Sequence, residues 1–145
     1  MLLAPGAAYM AYIGDMRIYR FRRGKLEERK RDPAALDGGV SGGAISPDAL
    51  AMLTQHANAA TRALGCEAAV EMKTQVERTE SGDIFLVCSG GLWTSLPEHR
   101  ITGILAAHHE LRLAASLLMD CAHEHGEPEP EPEHVTCVLA RVGDI

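Results

Sequence analysis

The segment from Gly82 to Pro97, GDIFLVCSGGLWTSLP, limits most strongly what this chain can fold into. A Gly-Asp pair precedes five apolar residues, Ile84 to Cys88, and an apolar run of this length between turn residues is typical of a strand buried on both faces. Ser89, Gly90 and Gly91 follow, and glycines after a buried strand let the backbone turn sharply or let another group approach it closely. This strand end is therefore the first candidate for a functional position, and a plain turn between strand and helix is the alternative.

Length and charge narrow the class of protein. The chain has 145 residues, which fits one domain with a hydrophobic core, and its 46% hydrophobic content is ordinary for a globular protein. The net charge of −6 argues against sequence-independent binding of nucleic acid, which needs a basic face. The basic cluster from Arg20 to Arg31 is interrupted by Glu27 and Glu28, which favours a solvated hairpin over a phosphate-binding patch.

The apolar runs and the cysteines indicate a cytoplasmic protein without a membrane span. No run approaches the roughly 18 apolar residues that cross a bilayer, and the segment after Met1 lacks the basic flank of a signal peptide. The cysteines are widely spaced in apolar contexts, without a C-x-x-C pair, and we expect buried free thiols. They are Cys66, Cys88, Cys121 and Cys137.

Strand patterns dominate the first half of the chain. The segment from Ala8 to Gly14 is apolar throughout and predicts a central strand with no element before it. Two further strand patterns follow around a tight turn, at Arg17 to Arg22 and Lys25 to Arg29, so we expect a meander of three strands. Val70 to Arg78 alternates, so we expect a strand with Val76 on the apolar face and Glu77 on the wet face.

Helix patterns account for most of the remainder. Ser46-Pro47-Asp48 predicts a helix start, and apolar residues at helical spacing continue to Leu64. Two further helices are expected after Pro97, then an acidic, proline-rich loop from His123 to His134 and a last strand from Val135 to Val142. This order of elements predicts an α+β domain in which helices cover antiparallel sheet.

Five segments, taken in chain order, resemble the motifs of one family. Residues 13–20 read IGDMRIYR, residues 24–32 read GKLEERKRD, residues 61–65 read TRALG, residues 82–93 read GDIFLVCSGGLW and residues 133–142 read EHVTCVLARV. They resemble the segments VGDSR-x-Y, G-x-L with T-x-D-H, TRALG, GD-x-x-LLCSDGLW and DNIT-V-V-x-A-R-V of the metal-dependent protein phosphatases of type 2C.

The resemblance implies a fold. We expect a partial type 2C β-sandwich, with antiparallel sheets flanked by helices, as one partial domain over residues 1–145. Residues 35–64 would form a flap-like helical segment inside it. The family's N-terminal portion, with its first acidic metal ligand and its DGMGG segment, has no counterpart here, so we expect that portion of the sandwich to be missing.

The resemblance also implies a metal site, which this sequence matches only in part. The family holds two Mg²⁺ or Mn²⁺ ions with carboxylates, because these hard cations prefer oxygen ligands. Gly90 stands where the family has the Asp of SDGLW. Asp15 is retained and Glu133 falls on the Asp of DNIT, so these two are the predicted metal ligands, although Asp15 would serve equally to cap its own turn. No catalytic residue is predicted, and metal binding is expected to be weak or lost.

Three functions remain open on the sequence. The first is a degenerate serine/threonine phosphatase domain, inactive alone, that binds or regulates a phosphoprotein. The second is the C-terminal portion of an Mg- or Mn-dependent phosphoprotein phosphatase, completed by an upstream segment or a partner chain. The third is a structural remnant inside a larger assembly.

A partial β-sandwich is expected to associate with another chain. It leaves an open sheet edge and an uncovered apolar face, which predicts self-association or a partner chain. Zinc is disfavoured, because His108-His109 and His123-x-His125 lack a second cluster at zinc spacing.

Overall fold

The computed structural model describes residues 1–13, 16–30, 73–125 and 134–143. Its strands are β1 (Leu2–Ala4), β2 (Ala7–Tyr12), β3 (Arg17–Arg22), β4 (Lys25–Lys30), β5 (Lys73–Arg78), β6 (Ile84–Cys88) and β7 (Cys137–Arg141). Its helices are α1 (Gly90–Ser95), α2 (Glu98–Ala107) and α3 (Leu111–His125). No described helix is long and apolar enough to cross a membrane.

The strands form two antiparallel sheets that face each other. Sheet A has the order β1-β2-β5 and sheet B the order β4-β3-β6-β7. Ala8 and Met10 of sheet A pack against Ile18 and Phe85 of sheet B, and Val142 joins them in the inner core. The predicted α+β sandwich of antiparallel sheets flanked by helices is therefore confirmed.

The helices cover the other face of sheet B. Residues of β3 and β6 pack there with all three helices in a second core, which contains Tyr19, Leu86, Cys88, Leu92, Leu96, Ile101, Leu105, Ala114 and Leu118. Strand β6 contributes Phe85 to the inner core and Leu86 to the helix side, so it is buried on both faces as its apolar run predicts.

The predicted meander of three strands is wrong. Strands β3 and β4 form the expected hairpin in sheet B, but β2 lies in sheet A between β1 and β5. The prediction also missed β1, which precedes β2 and pairs with it around a turn at Gly6, a residue with a φ of +74°. Such a left-handed φ favours glycine and allows a two-residue hairpin turn.

The predicted alternation of side chains along β5 is correct, but the buried and exposed faces of the strand are the reverse of the prediction. Val76 is 60% exposed, whereas Glu77 is only 8% exposed and points between the sheets. The reason is electrostatic: Arg29 Nε donates to Glu77 Oε2 at 2.7 Å, and Arg20 Nη1 lies 3.5 Å from the same oxygen. Paired in this way, the carboxylate tolerates burial that an isolated charge would not.

The prediction of a solvated basic hairpin is correct at the turn, where Arg23 is 81% exposed, but wrong for the arginines of β3. The Arg20 side chain is only 11% exposed and pairs with Glu27 as well as Glu77. Arg22 pairs with Glu80 and with Asp83. The arginines of β3 therefore hold the hairpin to β5 and to the start of β6.

The predicted start of the acidic loop at His123 is wrong, because α3 continues through His125. The two helices after Pro97 and the last strand are confirmed, and the described cysteines, Cys88, Cys121 and Cys137, carry free thiols. The helix beginning at Ser46, the flap-like segment at residues 35–64 and Cys66 lie outside the described residues.

Candidate functional site

The chain after β6 is fixed to the chain before β7 by Ser89. The Ser89 hydroxyl donates to the carbonyl of His134 at 3.1 Å and accepts from the backbone N–H of Thr136 at 2.9 Å. The Ser89 backbone N–H donates to the carbonyl of Thr136 at 3.0 Å. Ser89 thereby sets where position 90 lies relative to the segment that enters β7.

Three parts of the chain meet at this end of sheet B. Cys88 lies directly opposite Arg17 of β3 on one side and Cys137 of β7 on the other. The sequence draws attention to three positions for metal ligands, Asp15, Gly90 and Glu133. Described residues close in sequence to each of these positions lie at this end of sheet B. Arg17 follows Asp15 by two residues, Cys88 precedes Gly90 by two, and His134 follows Glu133 directly. The end of β6 therefore lies between the starts of β3 and β7.

Gly90 does not make the sharp turn that a glycine at this position suggests. It is buried and begins α1, whose residue Thr94 donates from its hydroxyl to the Gly90 carbonyl at 2.9 Å. The described glycines with left-handed φ are Gly6, Gly24 and Gly82. Since the backbone at position 90 does not require glycine, an L-residue can adopt the same conformation.

Arg17 provides the main cationic group at this end of the sheet. Its guanidinium carbon lies 3.7 Å from the centroid of the Trp93 ring, which is a cation–π contact. Its Nη1 donates to the Tyr19 hydroxyl at 3.0 Å and lies 3.8 Å from a Glu28 oxygen. Burial raises the pKa of Tyr19 to about 12 despite this arginine, so the phenol remains protonated.

The contact between Arg17 and Trp93 was not predicted from the sequence. A signal was present, because Arg17 lies in the first matched segment and Trp93, the single tryptophan, lies in the fourth. Their proximity depends on the pairing of β3 with β6, which the predicted meander did not contain.

The opposite end of β6 has a structural function. The Asp83 carboxylate is 1% exposed and accepts from Arg22 and from the Glu80 backbone N–H. Burial raises the pKa of Asp83, but the hydrogen bonds from Arg22 and Glu80 outweigh it, so the pKa lies below its usual value. The Gly-Asp pair of the opening segment therefore fixes the sandwich at the end away from Gly90.

The predicted metal ligands, Asp15 and Glu133, lie outside the described residues and remain predictions. Within the described part of the chain, no three His, Cys, Asp or Glu side chains come together as a metal site would require. Gly90 has no side chain to offer, and the Ser89 hydroxyl is engaged with backbone groups. The described side chains alone do not supply the set of carboxylates that two divalent ions need.

The fold of this chain is similar to that of solved phosphatases. The Mycobacterium tuberculosis serine/threonine phosphatase PstP/Ppp is 26% identical with a TM-score of 0.75, over 99% of this chain and 58% of that one. The catalytic domain of PstP, solved in complex with two manganese ions, is 29% identical with a TM-score of 0.75, over 99% of this chain and 56% of that one.

Sequence comparison gives the same class. The serine/threonine phosphatase stp of Listeria welshimeri is 30% identical over 125 residues, which are 86% of this chain and 49% of the relative. No family model matches the chain.

The homologues and structural neighbours of this chain are thus PPM-type, or type 2C, serine/threonine phosphatases, which confirms the resemblance found in the sequence. The chain spans about half the length of the relatives that it matches.

Proposed function

We propose that this chain is a type 2C phosphatase-like module that does not hydrolyse phosphoserine or phosphothreonine alone, and that it acts by binding a phosphoprotein or a partner chain. The observation that carries the proposal is Gly90. It lies at the end of β6, beside the segment that enters β7, where the family motif has a carboxylate. A metal pair needs such carboxylates to lower the pKa of a bridging water and to hold the phosphoryl oxygens.

Asp15 and Glu133 remain the proposed ligands of a weakly held Mg²⁺ or Mn²⁺. Two carboxylates make a poor site for Mg²⁺ in particular, because this ion gives up its waters reluctantly. Trp93 provides the readout, since it contacts Arg17 at the same end of sheet B. We expect Mn²⁺ to quench Trp93 fluorescence only at millimolar concentration, and Asp15→Asn with Glu133→Gln to abolish that quenching. Saturation at micromolar Mn²⁺ would contradict a weak site.

Inactivity is tested by turnover. We expect no Mn²⁺-dependent release of phosphate from p-nitrophenyl phosphate or from phosphothreonine peptides above a buffer control. A full-length type 2C phosphatase, assayed in parallel, shows that the conditions support the reaction. Turnover by this chain, removed by chelation and restored by Mn²⁺, would overturn the proposal.

A second candidate is favoured by the length of the match. The chain covers 49% of the Listeria phosphatase. This second function would therefore be that of the C-terminal portion of an active phosphatase, which another segment completes. Adding the unmatched half of that relative would then produce Mn²⁺-dependent turnover. An in-frame coding extension upstream of Met1 that encodes a DGMGG-like segment would favour the same candidate.

The proposed location is the cytoplasm. The free thiols of the described cysteines support it, because structural disulfides dominate in oxidising compartments. In that location the module would act in phosphorylation-dependent signalling.

A further inference from the structure

Two of the described cysteines lie directly opposite each other in sheet B. Cys88 is the last residue of β6 and Cys137 is the first residue of β7, and the register of the two strands pairs them. Both side chains contact the core on the helix side of the sheet, so they point to the same face. Cys88 is fully buried there, whereas Cys137 is half-buried. Both carry free thiols.

Hydrogen bonds at the two ends of the ladder between β6 and β7 define which kind of cross-strand pair the cysteines form. The Ser89 backbone N–H donates to the Thr136 carbonyl at 3.0 Å, directly beyond the cysteines. At the other end, the Val142 N–H donates to the Asp83 carbonyl at 2.8 Å. Hydrogen-bonded and non-hydrogen-bonded pairs alternate along an antiparallel ladder. Counted from either end, the two cysteines form a non-hydrogen-bonded pair.

A pair of this kind brings two thiols within bonding range. The Cα atoms of a non-hydrogen-bonded pair are about 4.5 Å apart, and the side chains lie closer together than in a hydrogen-bonded pair. Disulfides span Cα separations of about 4.4–6.8 Å. A bond between Cys88 and Cys137 therefore needs no rearrangement of the backbone.

We infer that Cys88 and Cys137 are a site of reversible oxidation, at which a peroxide closes a disulfide between β6 and β7 and a dithiol reductant opens it. Such a bond lies directly before Ser89 and holds the chain at Gly90 against the segment that enters β7. The inference does not depend on the proposed function, because it concerns the two thiols alone.

The reaction begins at Cys137, because this half-buried thiol is more accessible to a peroxide than Cys88. The Cys137 thiol loses its proton and attacks one oxygen of hydrogen peroxide, which gives a sulfenic acid and, once the proton is taken up, one water. The Cys88 sulfur then loses its proton, attacks the Cys137 sulfur and expels the second water. Two thiols and one peroxide thus give one disulfide and two waters. In the reverse direction, a reductant attacks the sulfur of Cys137.

Burial makes both steps slow. It raises the pKa of Cys137, and it raises the pKa of Cys88 to about 12, to which the neighbouring Cys137 also contributes. Since the thiolate is the reactive form, we expect closure over hours in excess peroxide. The site therefore responds to sustained oxidation.

The first test uses the full chain with Cys66→Ser and Cys121→Ser, in which only the proposed pair remains. We expect hydrogen peroxide to remove the mass of two hydrogen atoms, proteolysis to give a peptide that links Cys88 to Cys137, and dithiothreitol to restore both thiols. The matched control adds Cys137→Ser, and it should not lose two hydrogen atoms. Oxidation to acids without a link, or a disulfide-linked dimer, would overturn the inference.

The unaltered chain gives a second measurement if the variants do not fold. Peptide mapping after oxidation should show the same link between Cys88 and Cys137. A link from either residue to Cys121 or Cys66 in its place would overturn the assignment of the pair.

Amide hydrogen exchange measures the effect on the strand end. In the oxidised chain, we expect the Ser89 and Thr136 amides to exchange at least about fivefold more slowly, because both are hydrogen-bonded directly beyond the disulfide. The control is Gly82, whose N–H donates to the Val142 carbonyl at the other end of the same strands and should change by less than about twofold. No change at Ser89, or equal change at both ends, would overturn the restraint on the chain at Gly90.

Discussion

Both oxygens of the Asp83 carboxylate accept hydrogen bonds from the Arg22 guanidinium, Oδ1 from Nε and Oδ2 from Nη2, each at 2.6 Å. This bidentate pair joins β3 to the start of β6 across 61 residues of sequence. Because Asp83 is buried, removing its charge leaves a cation without its main partner, and such changes are strongly destabilising.

Asp83→Asn is therefore expected to lower the free energy of unfolding by about 3 kcal/mol at pH 7, measured by urea denaturation. The folded pKa of Asp83 is lowered, so its stabilisation is fully present above the unfolded pKa of about 3.9 and is lost as the pH falls through the folded pKa. The difference between the two proteins should shrink in strong acid. Glu80→Gln is the control, since this more exposed partner of Arg22 should cost under about 1 kcal/mol.

Glu77→Ala is expected to destabilise the sandwich by about 3 kcal/mol, because it leaves Arg20 and Arg29 without their shared partner between the sheets. Thermal and urea unfolding measure the change. Thr74→Ala on the same strand is the control, since Thr74 is exposed and should alter stability by less than about 0.5 kcal/mol. A neutral Glu77→Ala would mean that Glu77 is solvated after all.

Arg17→Ala is expected to change the fluorescence of Trp93 and to lower stability by about 1 kcal/mol, because it removes the guanidinium stacked on the ring. Trp93 is the single tryptophan, so the emission reports on the surroundings of this ring alone. Arg23→Ala, at an exposed arginine paired with Glu80, should leave the emission unchanged. Identical spectra for the Arg17 variant and the parent would contradict the stacked geometry.

Gly90→Asp is expected to fold and to bind Mn²⁺ at least about tenfold more tightly than the parent, since it returns a carboxylate to the strand end. The backbone permits the change because Gly90 lies in α1 without a left-handed φ. Trp93 fluorescence and electron paramagnetic resonance of free Mn²⁺ measure the binding, and Gly91→Asp is the neighbouring control. Equal Mn²⁺ affinity in the parent and both variants would contradict the assignment of position 90.

Cys88 is expected to resist alkylation by iodoacetamide at pH 8 in the folded protein and to react after unfolding, as mass spectrometry can show. Burial raises the pKa of Cys88 to about 12, and the thiolate is the reactive form. Because the folded state keeps this proton, stability should fall as the pH rises above the usual thiol pKa of about 8.5. Cys88→Ala should weaken that alkaline decline. Rapid labelling of Cys88 under native conditions would contradict its burial.

Sequence patterns predicted the individual strands and helices well, but they predicted poorly which strands pair and which faces are buried. The bounds of β6 and the helices after Pro97 follow from apolar periodicity, which depends on neighbouring residues only. The side of β5 that faces inwards depends on Arg20 and Arg29, which are more than forty residues away in the sequence. No periodicity in β5 distinguishes a solvated Glu77 from one paired between two sheets.

The candidate site shows the same division. The resemblance selected position 90, and the structure confirms that Ser89 and Gly90 lie at the end of a buried strand. The stacking of Arg17 on Trp93 was not predicted, because it requires the register of β3 against β6. The metal-binding roles of Asp15 and Glu133 remain predictions.

The charged edges of β4 and β5 also decide what kind of assembly this chain can form. Filaments made by strand pairing need a donor edge and an acceptor edge on opposite sides of each subunit, so that every addition exposes a new site. Among the described strands, the two apolar edges, β1 and β7, share one side, and the two charged edges share the other. This arrangement disfavours filament growth, because the described strands leave no apolar edge on the opposite side for a further subunit.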